Sequence, residues 1–444
     1  MKDKREKFQL SSFQIIITGF AGAILVGTVL LMLPFSTREA GGASFHDAIF
    51  TATSAVCVTG LVVHDTATYW TTFGQAVILL LIQIGGMGVV TIAVAIAMIS
   101  GRRIGLMQRS TLQEAIAAPH VGGIVRLTGF IVKATALIEL TGTLVLSTVF
   151  CREMGPGKGL WYAFFHSVSA FCNAGFDLMG QNAPFSSLTA YADNPVINIT
   201  IMILIITGGI GFLTWEDLKT KKFRYQEYRM QTKVILSVTS ILILLPAICF
   251  YFGEFSDVSG AERVFASLFQ SVTPRTAGFN TANIAGFTES GIMLVIILML
   301  IGGSPGSTAG GMKTTTAAVL FASAYAVFRR DEDAHFFGRR ILKETVQSAA
   351  AVMLMYLSMF LLGGMAISRL EGLPMLDCLF ETASAIGTVG LTLGITPGLG
   401  LVSRTILIFL MFFGRVGGLT LVFATVAGIK YHRARLPQEK ITVG

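Results

Sequence analysis

The sequence predicts an all-α polytopic membrane protein with four tandem repeats arranged around one pseudo-fourfold pore axis. The first observation is composition: 53% of the 444 residues are hydrophobic, only 13% are charged, and mean hydropathy is +0.70. A soluble chain of this length does not need so much apolar surface. The second observation is a stretch of eight residues that recurs, with changes, at 54–61, 169–176, 272–279 and 384–391. Four copies between long apolar segments indicate internal repetition.

Each copy of the stretch stands in the same frame. In the first repeat, an apolar run at 13–33 precedes a shorter segment at 43–56, and a second long run follows at 74–100. About 20 residues are needed to cross a bilayer core as a helix, so the short segment can only enter and turn back. Irregular backbone at that depth is tolerated where protein or water surrounds it. The frame therefore predicts a span, a re-entrant half-span with a pore loop, and a second span.

The same order recurs three more times, which predicts eight full spans and four half-spans. The corresponding segments are 126–150, 160–171 and 195–214; 234–252, 261–272 and 290 onward; and 346–367, 375–386 and 401–429. The predicted organisation is a cytoplasmic N-terminus (1–12), repeats at 13–110, 111–225, 226–340 and 341–430, and a cytoplasmic C-terminal tail (431–444).

The positive charge follows this topology. Of the 33 Lys and Arg residues, 24 lie in five clusters, at 1–12, 100–133, 215–233, 329–345 and 430–444. By the positive-inside rule these clusters are cytoplasmic, so we expect a multi-pass protein of the cell membrane with both termini cytoplasmic. The net charge of +8 thus needs no nucleic-acid partner, and the apolar surface is expected to contact membrane lipid. The first apolar run is interpreted as a retained span because no cleavage signal follows it.

The repeated stretch has the chemistry of a site for a dehydrated cation. Potassium without its water shell needs six to eight oxygens, and backbone carbonyls supply them where glycine permits unusual dihedral angles. A half-span helix would point its negative carbonyl end at the ion. No carboxylate lies within the four stretches, so the expected metal site is potassium at backbone carbonyls, with no organic cofactor in this chain. The predicted filter residues are Val58, Thr59, Gly60, Asn173, Ala174, Gly175, Thr276, Ala277, Gly278, Thr388, Val389 and Gly390.

Residues around the stretches receive weaker interpretations. Six acidic residues are expected near the outer mouth, where they would concentrate cations. They are Asp47, Asp65, Asp177, Asp257, Asp377 and Glu381. Cys57 and Cys172 share one column of the repeat, and packing behind the filter is favoured over ligand pairing. In the second spans, the Gly-Gly-x-Gly motifs at 85–88 and 208–211 are interpreted as close helix packing.

The second span of the third repeat is broken. Residues 302–311 contain five glycines and a proline between two 12-residue apolar halves, at 290–301 and 317–328. Each half is about 18 Å long as a helix and cannot cross a core of about 30 Å. A flexible gate is favoured over a static kink, since conformational switching needs a segment with few fixed backbone bonds. A phosphate-binding loop is disfavoured because the spacing from Gly306 to Lys313 exceeds the Walker pattern by one residue.

An arginine occupies the corresponding region of the fourth repeat. Arg415 stands where the first two repeats have glycine, and a charge inside a span is costly and usually functional. It is expected below the filter, as an electrostatic barrier or as a partner for loop carbonyls. Lys313 either adds to this role or marks the end of the loop. The predicted gate residues are Gly302, Gly303, Ser304, Pro305, Gly306, Ser307, Thr308, Ala309, Gly310, Gly311, Lys313 and Arg415.

Taken with the stretches at 54–61, 169–176, 272–279 and 384–391, the whole chain resembles the Trk/Ktr/HKT superfamily of potassium transporters, and most of all its KtrB-type membrane subunits. The resemblance implies that Gly60, Gly175, Gly278 and Gly390 set selectivity and that the third-repeat loop lies under the filter. Family members with serine at the first glycine tend towards sodium, so Gly60 favours potassium. The resemblance also implies sodium as a candidate activator, a homodimer, and a KtrA-like cytoplasmic ring of RCK-type subunits that binds ATP or ADP. The basic loops at 219–233 and 329–343 would either meet that ring or only obey the positive-inside rule.

Three other functions compete with potassium uptake as interpretations of the sequence. The alternative within the superfamily is a sodium-coupled or sodium-translocating transporter. An enzyme is disfavoured because the six histidines show no metal-binding spacing such as HExxH. A substrate-binding secondary transporter would normally show inverted repeats, whereas these four repeats run in one direction.

Overall fold

The structure is a computed structural model that describes residues 11–39, 41–100, 104–118, 120, 122–181, 183–222, 224–418 and 420. These residues form sixteen α-helices and one short hairpin, in which His335–Phe336 (β1) pairs antiparallel with Arg339–Arg340 (β2). The predictions for most of the N-terminal segment, for the C-terminal tail and for the last turns of the fourth repeat lie outside the described residues.

Four long helices begin the four repeats. They are α1 (Ser12–Leu31), α6 (Ile124–Met154), α10 (Met230–Phe252) and α14 (Lys343–Glu371). Each is long and apolar enough to cross a membrane. Helix α1 begins at a capping box, in which Ser11 and Gln14 exchange side-chain-to-backbone hydrogen bonds.

Four shorter helices match the predicted half-spans. They are α2 (Phe45–Val56), α7 (Pro156–Phe171), α11 (Gly260–Val272) and α15 (Met375–Gly387). Each packs against the long helix that precedes it. Helix α7 begins four residues before the predicted start, because Pro156 occupies its first turn, where a missing N–H costs nothing. At about 18–24 Å, none of the four is long enough to cross a bilayer core.

The second helix of every repeat is interrupted. Helix α3 (Thr72–Met87) bends by 94° into α4 (Val89–Ile99), and α8 (Pro195–Gly209) bends by 98° into α9 (Phe212–Lys221). In the third repeat, α12 (Glu289–Leu300) and α13 (Thr314–Arg329) are separate helices, and in the fourth α16 (Leu401–Val416) ends at Gly417. A short helix, α5 (Leu106–Ala115), connects the first two repeats.

The continuous second spans predicted at 74–100 and 195–214 are therefore wrong. The helix breaks at the third glycine of the motif, where Gly88 has a φ of 85° and Gly211 a φ of 93°, in the left-handed region that glycine tolerates. The first glycines do pack closely, as predicted, since a Cβ on Gly85 would collide with the carbonyl oxygen of Val56. By length and composition, the described residues hold four candidate spans, or six if each bent pair is one span. The count stays below eight because α12 and α16 are each too short.

Candidate functional site

The four repeated glycines meet in a closed ring. A Cβ atom built on Gly60 would collide with the carbonyl oxygen of Ala174 and lie 3.1 Å from Cα of Gly175. A Cβ on Gly175 would lie 2.9 Å from Cα of Gly278, and one on Gly278 would lie 3.2 Å from Cα of Gly390. A Cβ on Gly390 would lie 3.0 Å from Cα of Gly60, which closes the circle. We refer to these four residues as the glycine ring.

Carbonyl groups line the same ring. In each step, the atom nearest to the added Cβ is the carbonyl oxygen of the residue that precedes the next glycine. The four residues that supply these oxygens are Thr59, Ala174, Ala277 and Val389. No side chain larger than hydrogen fits at the ring positions, and the polar atoms that face them are backbone oxygens.

The backbone before each glycine has the same unusual conformation. The residue two positions earlier has a positive φ in all four repeats, and these residues are Val58 (58°), Asn173 (58°), Thr276 (69°) and Thr388 (52°). A positive φ is uncommon outside glycine and is a true outlier for β-branched residues such as valine and threonine. In a strand, successive carbonyl groups point to opposite sides. Positive φ at alternate residues turns them toward one side instead. Such local strain persists only where surrounding contacts hold it.

Hydroxyl groups in three half-helices, and in the residue directly after the remaining one, α11, supply those contacts. Ser54 Oγ accepts a hydrogen bond from the Gly60 N–H at 3.1 Å, and Ser384 Oγ accepts one from the Gly390 N–H at 3.0 Å. In the other two repeats the hydroxyl donates to the carbonyl after the glycine, from Ser169 to Phe176 at 2.7 Å and from Thr273 to Phe279 at 2.5 Å.

The supporting role of these hydroxyls was missed in the sequence, although the signal was present. A serine stands six positions before the glycine in three repeats, and the third repeat has Thr273 one position later.

On one side of the glycine ring lies a cavity of about 230 Å³, lined by all four glycines. Of the six acidic residues expected at an outer mouth, only Asp65 and Asp177 line it. Asp65 is held by four hydrogen bonds, including one from the Phe185 N–H at 2.9 Å, and so ties the first two repeats together. The Asp177 carboxylate accepts a hydrogen bond from the Met179 N–H at 2.9 Å.

The other four acidic residues do not line this cavity, and their expected role in concentrating cations near the outer mouth stays a prediction. Asp47 forms an ion pair with Arg404 at 3.0 Å. Glu381 is buried and accepts a hydrogen bond from Thr396 at 2.8 Å. Asp257 and Asp377 are absent from the residues that line the cavity. Two of the four carboxylates, Asp47 and Glu381, therefore bind other side chains of the protein.

Beneath the glycine ring lies the loop between α12 and α13, residues 301–313, called here the interhelix loop. Its Ser304 N–H donates to Gly209 O at 2.9 Å, and its Gly311 N–H donates to Gly414 O at 3.1 Å. In return, Gly306 O accepts from the Phe212 N–H at 2.7 Å. The loop thus bonds to the ends of α8, α9 and α16.

The expectation that this loop has few fixed backbone bonds is wrong. Within the loop, Gly302 donates to Met312 O at 2.7 Å, and Thr314, the first residue of α13, donates to Gly303 O at 3.0 Å. Ser307 Oγ donates to Ser304 O at 2.7 Å. Glycine and proline prevent a helix here, yet the irregular backbone is satisfied by neighbours, as buried backbone requires. Any movement of the loop must break these bonds.

The loop also reaches the ring stretches. Thr308 Oγ1 donates to Asn173 Oδ1 at 2.9 Å and to Phe171 O at 3.0 Å. A Cβ on Gly310 would lie 3.0 Å from Thr388 Cγ2, so the loop backbone lies against the fourth stretch. The structure therefore brings the two predicted sets, filter and gate, into direct contact.

Two cations hold the loop. The Arg415 guanidinium donates to the carbonyl oxygens of Thr308 and Gly85, and to Gly86 O at 3.1 Å. Lys313 Nζ donates to Ala309 O at 2.9 Å and to Gly310 O at 3.3 Å. Of the two roles expected for Arg415, the structure places it as a partner of loop carbonyls.

The positions of Cys57 and Cys172 agree with the predicted packing role. Cys57 and Cys172 are buried, and the Cys172 side chain fills the space in front of Gly86, whose added Cβ would lie 2.6 Å from Cys172 Sγ. Within the described ranges, no cluster of three or more His, Cys, Asp or Glu residues could hold a metal ion.

Comparison with known proteins now gives the family. The sequence model of TrkH, described as a cation transport protein, matches residues 5–431. The chain belongs to the TrkH cation transport family. With its several long apolar helices, this family member is a multi-pass membrane protein.

Similar proteins cover the whole chain. It is 40% identical over 454 residues to the "Potassium/sodium uptake protein NtpJ" of Enterococcus hirae, covering 99% of each chain. It is also 40% identical to the "Ktr system potassium uptake protein B" of Bacillus subtilis, over 100% of this chain and 99% of that one. Among solved structures, the potassium transporter TrkH from Vibrio parahaemolyticus matches with a TM-score of 0.72 at 22% identity, over 95% of this chain and 86% of the other. That structure supports the fold alone.

The resemblance to the Trk/Ktr superfamily is thereby confirmed, and so are the expectations of cation transport and a membrane protein. The relatives are named as uptake proteins, which are not enzymes.

Proposed function

We propose that this TrkH-family protein takes up potassium across the cell membrane through the glycine ring. The observation that carries the proposal is the closed circle of Gly60, Gly175, Gly278 and Gly390, each approached by the carbonyl oxygen before the next glycine. Rings of backbone carbonyls replace the hydration shell of potassium, and small residues leave the path open. The names of the relatives as potassium uptake proteins agree with this substrate.

Three physical features favour a cation over an anion at this site. The four half-helices lead by sequence directly into the ring stretches, so their C-terminal carbonyl ends, with partial negative charge, lie beside the ring. The lining oxygens are acceptors. Hydrogen bonds that the Gly60 and Gly390 N–H groups donate to Ser54 and Ser384 restrain the ring backbone, so the carbonyl oxygens are preorganised.

The architecture proposed for this function is a pseudo-fourfold pore of eight spans and four half-spans with both termini cytoplasmic. The interrupted second helices count as spans in this scheme, each broken at the level of the interhelix loop. Support comes from the four equivalent half-helices and from the five basic clusters of the sequence, which the positive-inside rule assigns to the cytoplasm.

The interhelix loop and Arg415 form the proposed gate. The loop lies against the ring stretches, and its bonds to Gly209, Gly414 and Arg415 hold it there. Opening would exchange these bonds for others, a two-state change that a partner can bias. The residues in this role are those of 302–311, with Lys313 and Arg415.

Control is assigned to a second protein. Relatives are named as parts of a "Ktr system", which implies a partner subunit. In this proposal, two copies of the chain form a homodimer, and the homodimer binds a cytoplasmic ring of RCK-type subunits that binds ATP or ADP. The basic loops at 219–233 and 329–343 are candidate contacts with that ring. Sodium is a proposed activator.

Sodium transport is the second candidate function, because one relative at 40% identity is named a potassium/sodium uptake protein. One experiment separates the two. Purified protein in liposomes is given potassium alone, sodium alone, and potassium with increasing sodium, and initial influx is measured. Potassium influx that sodium does not compete away supports the first proposal. Sodium influx at an equal rate would support the second. Influx of neither cation above empty liposomes, both for the wild type and for a variant that lacks the gate residues 304–310, would refute both.

A further inference from the structure

A groove of about 890 Å³ lies beside the N-terminal end of α6, away from the glycine ring, between α4, α5, α6 and α9. Four cations line it: Arg109 from α5, Arg126 and Lys133 from α6, and Lys219 from α9. Apolar residues form the rest of its wall, among them Phe130. Nothing in the transport path described above uses this groove.

Among the residues that the structure describes, none of the four cations forms an ion pair with an acidic side chain. Arg109 Nε donates to Ile104 O at 3.2 Å, and Lys219 Nζ lies 4.4 Å from the centre of the Phe130 ring. All four are exposed. Like charges gathered around one groove repel each other, so an anion bound among them would be favoured.

The groove continues into an apolar surface. Arg126, Phe130, Lys133 and Leu137 are spaced by four, three and four residues, so they share one face of α6. Leu137 is 67% exposed, and further along the helix Leu140 is 56% and Leu144 is 67% exposed. Cations at one end of a helix face and exposed leucines beyond them match the order of headgroup and hydrocarbon in a membrane.

The length of α6 agrees with that order. Its 31 residues extend about 46 Å, which exceeds a hydrocarbon core of about 30 Å by about ten residues. If the excess lies at the basic end, Lys133, in the third turn, falls at the boundary between headgroups and hydrocarbon. Arg126 then lies about 10 Å further out, among the headgroups.

We infer that this groove binds an anionic phospholipid. The phosphate lies among Arg126, Lys133 and Lys219, and one acyl chain follows Leu137, Leu140 and Leu144. Basic pockets between membrane helices bind such headgroups. A soluble anion would use the cations but not the leucines, and an acidic protein segment would not extend along residues that face hydrocarbon. The shape of the surface therefore favours lipid over either.

The test measures binding instead of transport, so it is independent of the proposed function. Full-length protein in neutral detergent is titrated with dioleoylphosphatidylglycerol or dioleoylphosphatidylcholine, and bound lipid per protomer is counted by native mass spectrometry. The variant is Arg126→Gln with Lys133→Gln. The matched control is Arg330→Gln with Arg339→Gln, which removes two exposed cations outside the groove. Thermal unfolding checks that both variants are folded.

The wild type and the control should prefer phosphatidylglycerol to phosphatidylcholine. At about fivefold per cation near a membrane surface, the groove variant should bind phosphatidylglycerol about 25-fold more weakly. Equal affinity of the wild type for both lipids, or equal loss in variant and control, would overturn the inference. So would full competition by soluble glycerol phosphate, which would indicate a soluble anion. A variant that loses only its association with a second copy or an added cytoplasmic protein would assign the groove to that protein.

Discussion

Thr308 in the interhelix loop donates its hydroxyl proton to Asn173 Oδ1 at 2.9 Å. Asn173 has a positive φ and lies two residues before Gly175 in the glycine ring. The same hydroxyl lies 3.0 Å from Phe171 O, at the end of α7. One proton is thus shared between a half-helix end and a ring stretch. The loop is connected to the ring by this side chain, so movement of the loop changes the support of the second stretch.

Thr308→Val should loosen both the gate and the filter. Valine has nearly the same shape but no hydroxyl, so two buried acceptors lose their donor at a cost of about 1–3 kcal/mol. We expect faster potassium influx and weaker discrimination against sodium in liposomes. Thr308→Ser keeps the hydroxyl and is the matched control. Influx and selectivity equal to wild type in the valine variant would show that the bond does not couple loop and ring.

Gly60→Ser should weaken selectivity for potassium. The residue has a φ of 90°, and a Cβ there would collide with the carbonyl oxygen of Ala174, so that oxygen must move. Gly394→Ser is the matched control, since Gly394 has a φ of 95° but no atom within 4 Å of an added Cβ. Competition of sodium with potassium influx is measured for both. If the two variants behave alike, backbone strain rather than the ring position explains the effect.

Arg415→Ala should raise potassium influx. The change removes the bonds to Thr308, Gly85 and Gly86, and also a positive charge that opposes a passing cation. At an effective dielectric of about 20, two unit charges about 8 Å apart repel by about 2 kcal/mol, a factor of about 30 in rate.

Arg415→Lys separates the two causes. Lysine keeps the charge but cannot form the planar set of bonds. Influx near wild type in the lysine variant would assign the effect to charge, and influx near the alanine variant would assign it to the hydrogen bonds. A fall in influx with loss of folded protein in the alanine variant would mean that Arg415 is chiefly structural.

The ion pair of Asp47 and Arg404 should stabilise the contact between the first and fourth repeats. Its atoms are 3.0 Å apart, with side chains 18% and 19% exposed. Asp47→Asn and Arg404→Gln should each lower the melting temperature by about 2 °C, and the double variant should lower it no further. If the melting temperature of the double variant falls by the sum of the two single losses, the two side chains do not stabilise the protein through their interaction.

The coupling between Asp47 and Arg404, measured by the same double-variant comparison of melting temperatures, should be equal at about pH 7 and about pH 5. Burial opposes ionisation of Asp47, but the Ser44 hydrogen bond and the neighbouring His64 and Arg404 leave its pKa below the usual 3.8. A carboxylate with a lowered pKa contributes its full stability above 3.8, and the contribution is lost only as pH falls through the folded value. Loss of coupling between about pH 7 and about pH 5 would therefore exclude Asp47 ionisation as its source.

The half-helices could be predicted from sequence because run length alone limits them. A segment such as 43–56 is apolar but too short to cross a membrane, and the structure has α2 at Phe45–Val56. The breaks at Gly88 and Gly211 could not be predicted in this way. A glycine within an apolar run fits close packing as well as a bend, and only the neighbouring helices decide between them.

The site was predictable to a similar degree. Repetition identified the four glycines, because a backbone requirement leaves the same residue at each position. The bonds that join the interhelix loop to α8, α9 and α16 connect residues more than 90 positions apart, such as Ser304 and Gly209. No local pattern contains such pairs. Arg415 was recognised as unusual, but its carbonyl partners depend on the bend at Gly88 that the sequence did not predict.

Removal of residues 304–310 distinguishes a gate from a static kink. The seven residues include Thr308, which bonds to Asn173, and Ser304, whose N–H donates to Gly209 O. Their loss removes the part of the loop that lies against the ring stretches, while α12, α13 and all four ring stretches remain. If the loop is a gate, potassium influx by purified protein in liposomes should rise and depend less on a cytoplasmic partner. If it is only a kink, shortening should pull α13 out of register, and influx should be lost.

A length-preserving variant completes that test. Replacing 304–310 by seven alternating glycines and serines keeps the distance between α12 and α13, but it removes the Thr308 hydroxyl and the restraint that Pro305 places on the backbone. A gate predicts raised potassium influx in both variants, because the loop is removed in one and held less firmly beside the ring in the other. A kink predicts loss in the deletion and influx near wild type in the replacement, because only register matters. We expect the rise in both, since the loop lies against Asn173 and Thr388, directly beside the ring stretches.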